Sequence, residues 1–206
     1  DYSEQGTMAK RLVALWAVML MVAGVRVEAA DPSALLANAE SMPGFLPLYW
    51  HPDRGDLHAD IGGLDGPLIY YTGLSQGVGS NDLGLDRGRL GDNHLVQFER
   101  VGSKVLHKSL NSRYVARSES TAERVAVQEA FAQSVLWGFE VAAEGDGKLI
   151  IDLTDFVRRA AMALGRWLKA QGEGSYRVEP SRSVVHLPRT RSFPDNTEID
   201  ALLTYT

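Results

Sequence analysis

Short turn sequences punctuate this chain, and each stands between runs of β-branched, aromatic and aliphatic residues. Pro52-Asp53-Arg54-Gly55 separates residues 45–50 from 56–61, and Gly62-Gly63 leads into a third run at 67–72. Gly102-Ser103 separates 94–101 from 104–110, and Asp146-Gly147 separates 135–143 from 148–153. Gly and Asp-Gly supply the positive φ that a tight hairpin needs, so these runs are expected to fold back on one another as antiparallel strands. The first three predict a meander, and Gly102-Ser103 predicts a type II′ turn. Further short strands are expected at 176–178 and 183–187. The last run alternates Ile199, Ala201, Leu203 and Tyr205 with Glu198, Asp200 and Thr204. It predicts a half-buried strand that stays open at the final residue, as in a chain truncated in mid-strand.

Helical signals are fewer. Asp31 and Pro32 suit the cap and first position of a short helix over 31–40. Ser120 and Glu123 form a capping box for a helix reaching about Gln133. Phe156, Val157, Ala160, Leu164, Trp167 and Leu168 recur at helical spacing until Gly172, with Arg158, Arg159, Arg166 and Lys169 on the solvated face. The expected class is α+β: mainly antiparallel β hairpins and meander with two amphipathic helices, preceded by a signal-peptide helix.

That signal comes from the first thirty residues. Lys10 and Arg11 precede an unbroken apolar run, Leu12 to Val25, and Val27-Glu28-Ala29 offers a cleavage site after Ala29. The run is shorter than the ~20 residues that span a bilayer. Export to the periplasm or the extracellular space is expected, with no membrane contact after cleavage. Met8 is the expected initiator, which makes 1–7 upstream read-through, 8–29 the signal peptide, 30–42 a short helix and linker, and 43–206 a β-rich domain. About 175 residues then remain, enough for one domain with a sizeable core. The net charge of −5 gives no reason to expect nucleic acid. With no cysteine among the 206 residues, disulfides, iron–sulfur clusters and thiolate zinc sites are excluded.

Several chemistries can be weighed on the residues. Gly73-Leu74-Ser75-Gln76-Gly77 has the spacing of a nucleophile elbow, and Asp152 or Asp155 and then His186 follow in hydrolase order. The helix that should follow the serine is missing, since Val78-Gly79-Ser80-Asn81 cannot start one, so Ser75 is only a distant candidate. His51 and His58 flank the first hairpin turn beside Asp53, Asp56 and Asp60. In the register set by that turn His51 faces Asp56 and His58 faces Tyr49, which predicts rings that are not neighbours and no metal site. His94, His107 and His186 stand singly and read as surface or edge residues. Asp82, Gly84 and Asp86 alternate as in a calcium loop but lack its other oxygen ligands. No catalytic, cofactor or metal residue is therefore assigned. The long glycine-rich stretch 73–91 is instead the expected interaction element, because long loops inside a domain commonly carry function. Its candidates are Ser80, Asn81, Asp82, Asp86 and Arg87, with an Asp86–Arg87 ion pair as a purely local role.

Five segments share a further property. Gly44-Phe45-Leu46-Pro47-Leu48-Tyr49-Trp50 and Gly79-Ser80-Asn81-Asp82-Leu83-Gly84-Leu85-Asp86-Arg87-Gly88 resemble the N-terminal region of a bacterial family of exported zinc-dependent metalloproteases. So do Val96-Gln97-Phe98-Glu99-Arg100-Val101-Gly102, Ser134-Val135-Leu136-Trp137-Gly138-Phe139 and Leu187-Pro188-Arg189-Thr190. In that family the region is a separate domain of unknown function ahead of a metzincin-like H-E-x-x-H-x-x-G-x-x-H domain. No such helix exists in this sequence, so no catalytic residue is carried over. The resemblance implies a non-catalytic accessory domain in a fragment lacking its catalytic domain, with zinc in that missing part. The implied partners are the parent's own catalytic domain and peptide substrate. A free-standing binding or scaffold module of the envelope is the alternative.

Overall fold

The computed structural model describes residues 29–79 and 81–206. The expected read-through segment, residues 8–28 of the expected signal peptide, and Ser80 lie outside the described residues. The chain begins with helix α1 (Pro32–Leu36), shorter than expected and capped by Asp31, whose carboxylate accepts from the Ser33 N–H at 2.9 Å. Eight strands follow: β1 (Glu40–Met42), β2 (Leu48–His51), β3 (Asp56–Asp60), β4 (Leu68–Gly73), β5 (Leu90–Val101), β6 (Lys104–Ser109), β7 (Ser134–Gly145) and β8 (Lys148–Asp152). They form one antiparallel sheet in the order β1-β2-β3-β8-β7-β6-β5-β4. Register irregularities between Tyr71 and Gly73, His107 and Lys108, and Val141 and Ala143 bend the strands, so that the sheet curls.

The turns formed as their chemistry dictates. Asp146 and Gly147 both take positive φ (51° and 76°), whereas in the Gly102-Ser103 turn only Gly102 does, at 61°. The expected meander did not form. β3 pairs on its second side with β8, and β4 pairs with β5 at the far edge of the sheet. The reason lies in β8: Leu149, Ile150 and Ile151 form a continuous apolar run, and both isoleucines are buried, which suits a central strand covered on both faces. β4 alternates half-buried and exposed residues, as an edge strand does.

Helix α2 (Thr121–Ala130) starts at its capping box, with the Glu123 N–H donating to Ser120 Oγ at 3.4 Å. It ends earlier than expected and buries none of its residues, so its apolar side chains do not form a core face. The second expected helix is two: α3 (Thr154–Val157) and α4 (Leu164–Ala170). Arg159 bends back and donates to the Phe156 carbonyl, which a continuing helix would need for its own ladder, and Ala163 takes a left-handed φ of 50°. Leu164, Trp167 and Leu168 are half-buried and Arg166 and Lys169 exposed, as expected. Arg158 and Arg159 are half-buried rather than solvated. Beyond α4, β9 (Val184–Val185), β10 (Arg191–Ser192), β11 (Thr197–Glu198) and β12 (Ala201–Leu202) form two small pairs, β10 with β11 and β9 with β12. The last run is therefore not an open strand. Ala201 and Leu202 pair with β9, and Tyr205 bridges to Val178.

Packing covers each face differently. On one, Leu48, Leu57, Ala59, Val105, Phe139 and Ile151 pack under Leu153, Phe156 and Val185. On the other, α1 brings Leu35 and Leu36 onto Tyr49, Ala143 and Ile150. One buried polar contact locks α3 to the sheet: the Leu57 N–H donates to Thr154 Oγ1 at 2.9 Å. Thr154→Val keeps the shape and orphans that N–H, so a loss of about 1–3 kcal/mol is expected in urea titrations. Thr154→Ser, which keeps the acceptor, should recover most of it.

Candidate docking loop and histidine clusters

The glycine-rich stretch is a folded extension of the β4–β5 hairpin. Leu74 N donates to the Arg89 carbonyl at 2.9 Å, Gly88 N to Leu74 at 2.8 Å and Val78 N to Leu85 at 3.1 Å. A 3-10 turn spans Asn81–Leu83, and Leu85 is buried. Two contacts pin the loop to α4. The Trp167 indole N–H donates to the Leu83 carbonyl at 2.8 Å, and the Arg89 guanidinium lies 3.9 Å from the centre of the same indole while bonding the Gly84 carbonyl. Neither anchor, Arg89 or Trp167, is among the interaction candidates named from the sequence, although Arg89 lies in the stretch 73–91 and Trp167 in the expected helix. Asp82, Asp86 and Arg87 are exposed at the tip, and ion pairs among the described residues do not include Asp86 with Arg87.

At the root of this loop lies a recess of about 420 Å³, bounded by Ile69, Tyr71, Leu90, Asn93, His94 and Leu95. Its apolar residues are far from buried: Ile69 is 79% exposed, Leu90 65% and Tyr71 57%. They lie on the sheet face that α1 covers only farther along, over β2, β7 and β8. The side chains that flank the recess on either strand leave or enter the loop directly, so an apolar patch and a charged tip share one hairpin.

Ser75 does meet His186 through an aspartate, but a different one from those expected. Ser75 Oγ donates to Asp200 Oδ1 at 2.9 Å, and Asp200 Oδ2 holds His186 Nδ1 at 2.8 Å. The carboxylate stands between the two, so His186 is not placed as the base for Ser75, which a serine nucleophile requires. Asp152 instead accepts from the Thr154 N–H, and Asp155 pairs with Arg158. The cluster ties the C-terminal segment to the loop: Asp200 N bonds Thr190 Oγ1, which bonds the His186 carbonyl, and Arg189 reaches the Ser75 carbonyl at 3.5 Å.

The remaining histidines differ most from expectation. His51 and His58 are only 5% and 4% exposed, and their ring centroids lie 4.9 Å apart with planes at 77°. The register is as expected, His51 opposite Asp56 and His58 opposite Tyr49. The rings nevertheless meet, because side chains on a diagonal of an antiparallel pair are within reach of each other. Burial foremost lowers both pKa values, against the raising influence of Asp56 and Asp152. His107 is 2% exposed rather than a surface residue, stacked on Phe98 and edge-on to Tyr70 and Phe156. Beside this group the Arg159 guanidinium covers the Phe156 ring at 3.6 Å and donates to Tyr70 Oη at 2.6 Å.

A family described as "Domain of unknown function (DUF5117)" matches residues 88–206, more than half of the chain. The match runs from the end of the loop through β5 to the last residue, so β1–β4 and the loop tip lie outside it. No curated protein and no solved structure matches the chain.

Proposed function

The chain belongs to the DUF5117 family, a domain of unknown function, and from the resemblance of its five segments to exported zinc-dependent metalloproteases we propose that it is the non-catalytic accessory domain of such a metallopeptidase. The β4–β5 hairpin is its docking element for the catalytic domain. One observation carries this reading: a pinned loop with Asp82, Asp86 and Arg87 at its tip continues into a recess whose Ile69, Tyr71 and Leu90 stand open to solvent. Large apolar side chains grouped beside charged ones are the anatomy of an interface, with anchors inside and a polar rim. Because Trp167 and Arg89 hold the loop in place beforehand, little ordering entropy is lost when a partner binds. The zinc ligands belong to the H-E-x-x-H helix expected beyond this sequence, and this chain supplies none of them.

The test has two stages. The reading frame is followed past the codon for Thr206; an H-E-x-x-H domain is expected there, and its absence would overturn the proposal in favour of a free-standing envelope module. Ile69→Asp with Tyr71→Asp is then introduced into the two-domain protein, separated into two chains by a protease site. Binding of the halves should weaken at least about tenfold, as for loss of interface anchors, while circular dichroism stays unchanged. Asp82→Ala, Asp86→Ala and Arg87→Ala, at the rim, should weaken it less. Undiminished binding in every variant would remove the hairpin as the docking element.

A further inference from the structure

The two margins of the large sheet differ in kind. Among the described residues, β1 and β4 are its terminal strands, each with one side that no strand of the sheet covers. β1 is an edge that can be left open safely: it is three residues long and carries the charged Glu40. β4 has none of that protection. It runs six residues, Leu68-Ile69-Tyr70-Tyr71-Thr72-Gly73, without a charge or a proline, and is rich in the residues that favour strand pairing. Among the described residues only β5 packs along it, and Ile69 and Tyr71 stand open to solvent. The direction of its backbone groups follows from β5. Leu110 N–H donates to the Leu95 carbonyl at 2.7 Å, so Leu95 turns its backbone towards β6. Along an antiparallel strand that direction alternates from residue to residue. His94 and Val96 therefore bond to β4, through Tyr70 and Leu68 opposite them. Ile69 stands opposite Leu95 and Tyr71 opposite Asn93, so their N–H and C=O groups point away from β5, and no turn or loop backbone among the described residues meets them. Outward groups two residues apart are what an added antiparallel strand bonds to.

We infer that β4 pairs antiparallel with β4 of a second copy of this chain, about a two-fold axis through Tyr70, and joins two sheets into one. In that register Ile69 stands opposite the second copy's Tyr71 and exchanges both backbone bonds with it, and the symmetry repeats the pair. The occupant is a second copy because this edge complements itself. Its outward groups belong to two residues placed evenly about Tyr70, and the strand carries no charge to repel its own copy. The facing side chains, one β-branched and one aromatic, are a favourable cross-strand pair. Pro67, which has no N–H, and the register irregularity between Tyr71 and Gly73 limit the ladder at its two ends. Because the β1 edge is short and charged, each chain has one such strand, and pairing closes at two copies instead of growing. The bonds come from backbone at the sheet margin, whereas the recess lies on the face, so the pairing does not depend on a catalytic domain.

The full chain is followed by sedimentation velocity across the micromolar range, where a monomer–dimer equilibrium is expected. Ile69→Pro removes an outward N–H that the fold does not use, so circular dichroism should stay unchanged. The axis repeats the loss, and the dimer should weaken by about tenfold or more. Register is read by disulfides, since the chain has no cysteine of its own. An oxidised mixture of Ile69→Cys and Tyr71→Cys chains should form the mixed disulfide, because directly opposed residues have Cα atoms about 5.5 Å apart. Either variant alone brings its cysteines together only on a diagonal and should cross-link far less. If the proline unfolds the chain, this difference decides. A chain that stays monomeric, a dimer indifferent to Ile69→Pro, or a mixture that cross-links no faster than the single variants would overturn the pairing.

Discussion

Replacing His107 with Phe should stabilise the chain, and should do so most at mildly acid pH. His107 makes no side-chain hydrogen bond among the described residues, and its Nδ1 is sealed from solvent without a partner. Around it are rings: Phe98 stacked at 5.1 Å, Tyr70 edge-on at 5.1 Å and Phe156 at 5.3 Å. Burial, then the positive Arg159, then His94 push its pKa down from 6.5 to about 4. The folded state therefore binds fewer protons than the unfolded state between those values. This residue's contribution to stability is intact above pH 6.5, falls away as the pH drops towards 4, and changes no further below that. The shift corresponds to about 3 kcal/mol lost across the window. His51 and His58 are shifted in the same direction and add to the loss. Urea titrations at pH 7.5 and pH 4.5 test this: His107→Phe should lose about 3 kcal/mol less than wild type between them. A phenyl ring in place of an imidazole with an unsatisfied nitrogen should be neutral to stabilising at pH 7.5. Equal losses in the two proteins would mean that His107 is not the group whose protonation drives acid unfolding.

The hairpins were legible because their information is local. A two-residue turn such as Asp146-Gly147 fixes its own register, and β7 and β8 follow from it. The partner of β3 was not legible, since nothing around Asp56–Asp60 announces that β8, far along the chain, takes its second edge. The same division explains the sites. The cross-strand partners of His51 and His58 were readable from the turn, but side-chain contact on the diagonal depends on twist and rotamer, which alternation does not encode. Arg159 had helical spacing on the solvated side, yet a long guanidinium can fold back over its own helix, and here that ends α3. The loop anchors carried one usable signal. Trp167 sat in an apolar stripe with an indole N–H that needs an acceptor, which pointed to a buried partner without saying that Leu83, 84 residues earlier, would supply it. Asp200 offered none: it joins Ser75 and His186 only because the C-terminal segment returns beside the loop.

Phe156→Ala should cost about 3–5 kcal/mol, the largest single loss expected in this chain. Phe156 is the buried aromatic residue that α3 packs onto the curled sheet, beside the Thr154 contact. Its ring meets Tyr70 from β4, His107 from β6, and Trp137 and Phe139 from β7, at centroid distances between 5.2 and 5.9 Å. Truncation would leave a cavity bordered by strands of the far half of the sheet, which cannot all move in to fill it. Phe156→Leu, which keeps most of the volume, should cost under about 1.5 kcal/mol. A further consequence follows from Arg159, whose guanidinium rests 3.6 Å from the Phe156 ring centre and, among the described residues, forms no ion pair with a carboxylate. If that ring is what makes the position tolerable for a cation, Phe156→Ala and Arg159→Ala will not be additive. A double-mutant cycle should give a coupling of about 0.5–2 kcal/mol. Full additivity would instead assign Arg159 to its bonds with Tyr70 Oη and the Phe156 carbonyl, and the break between α3 and α4 would then rest on those bonds alone.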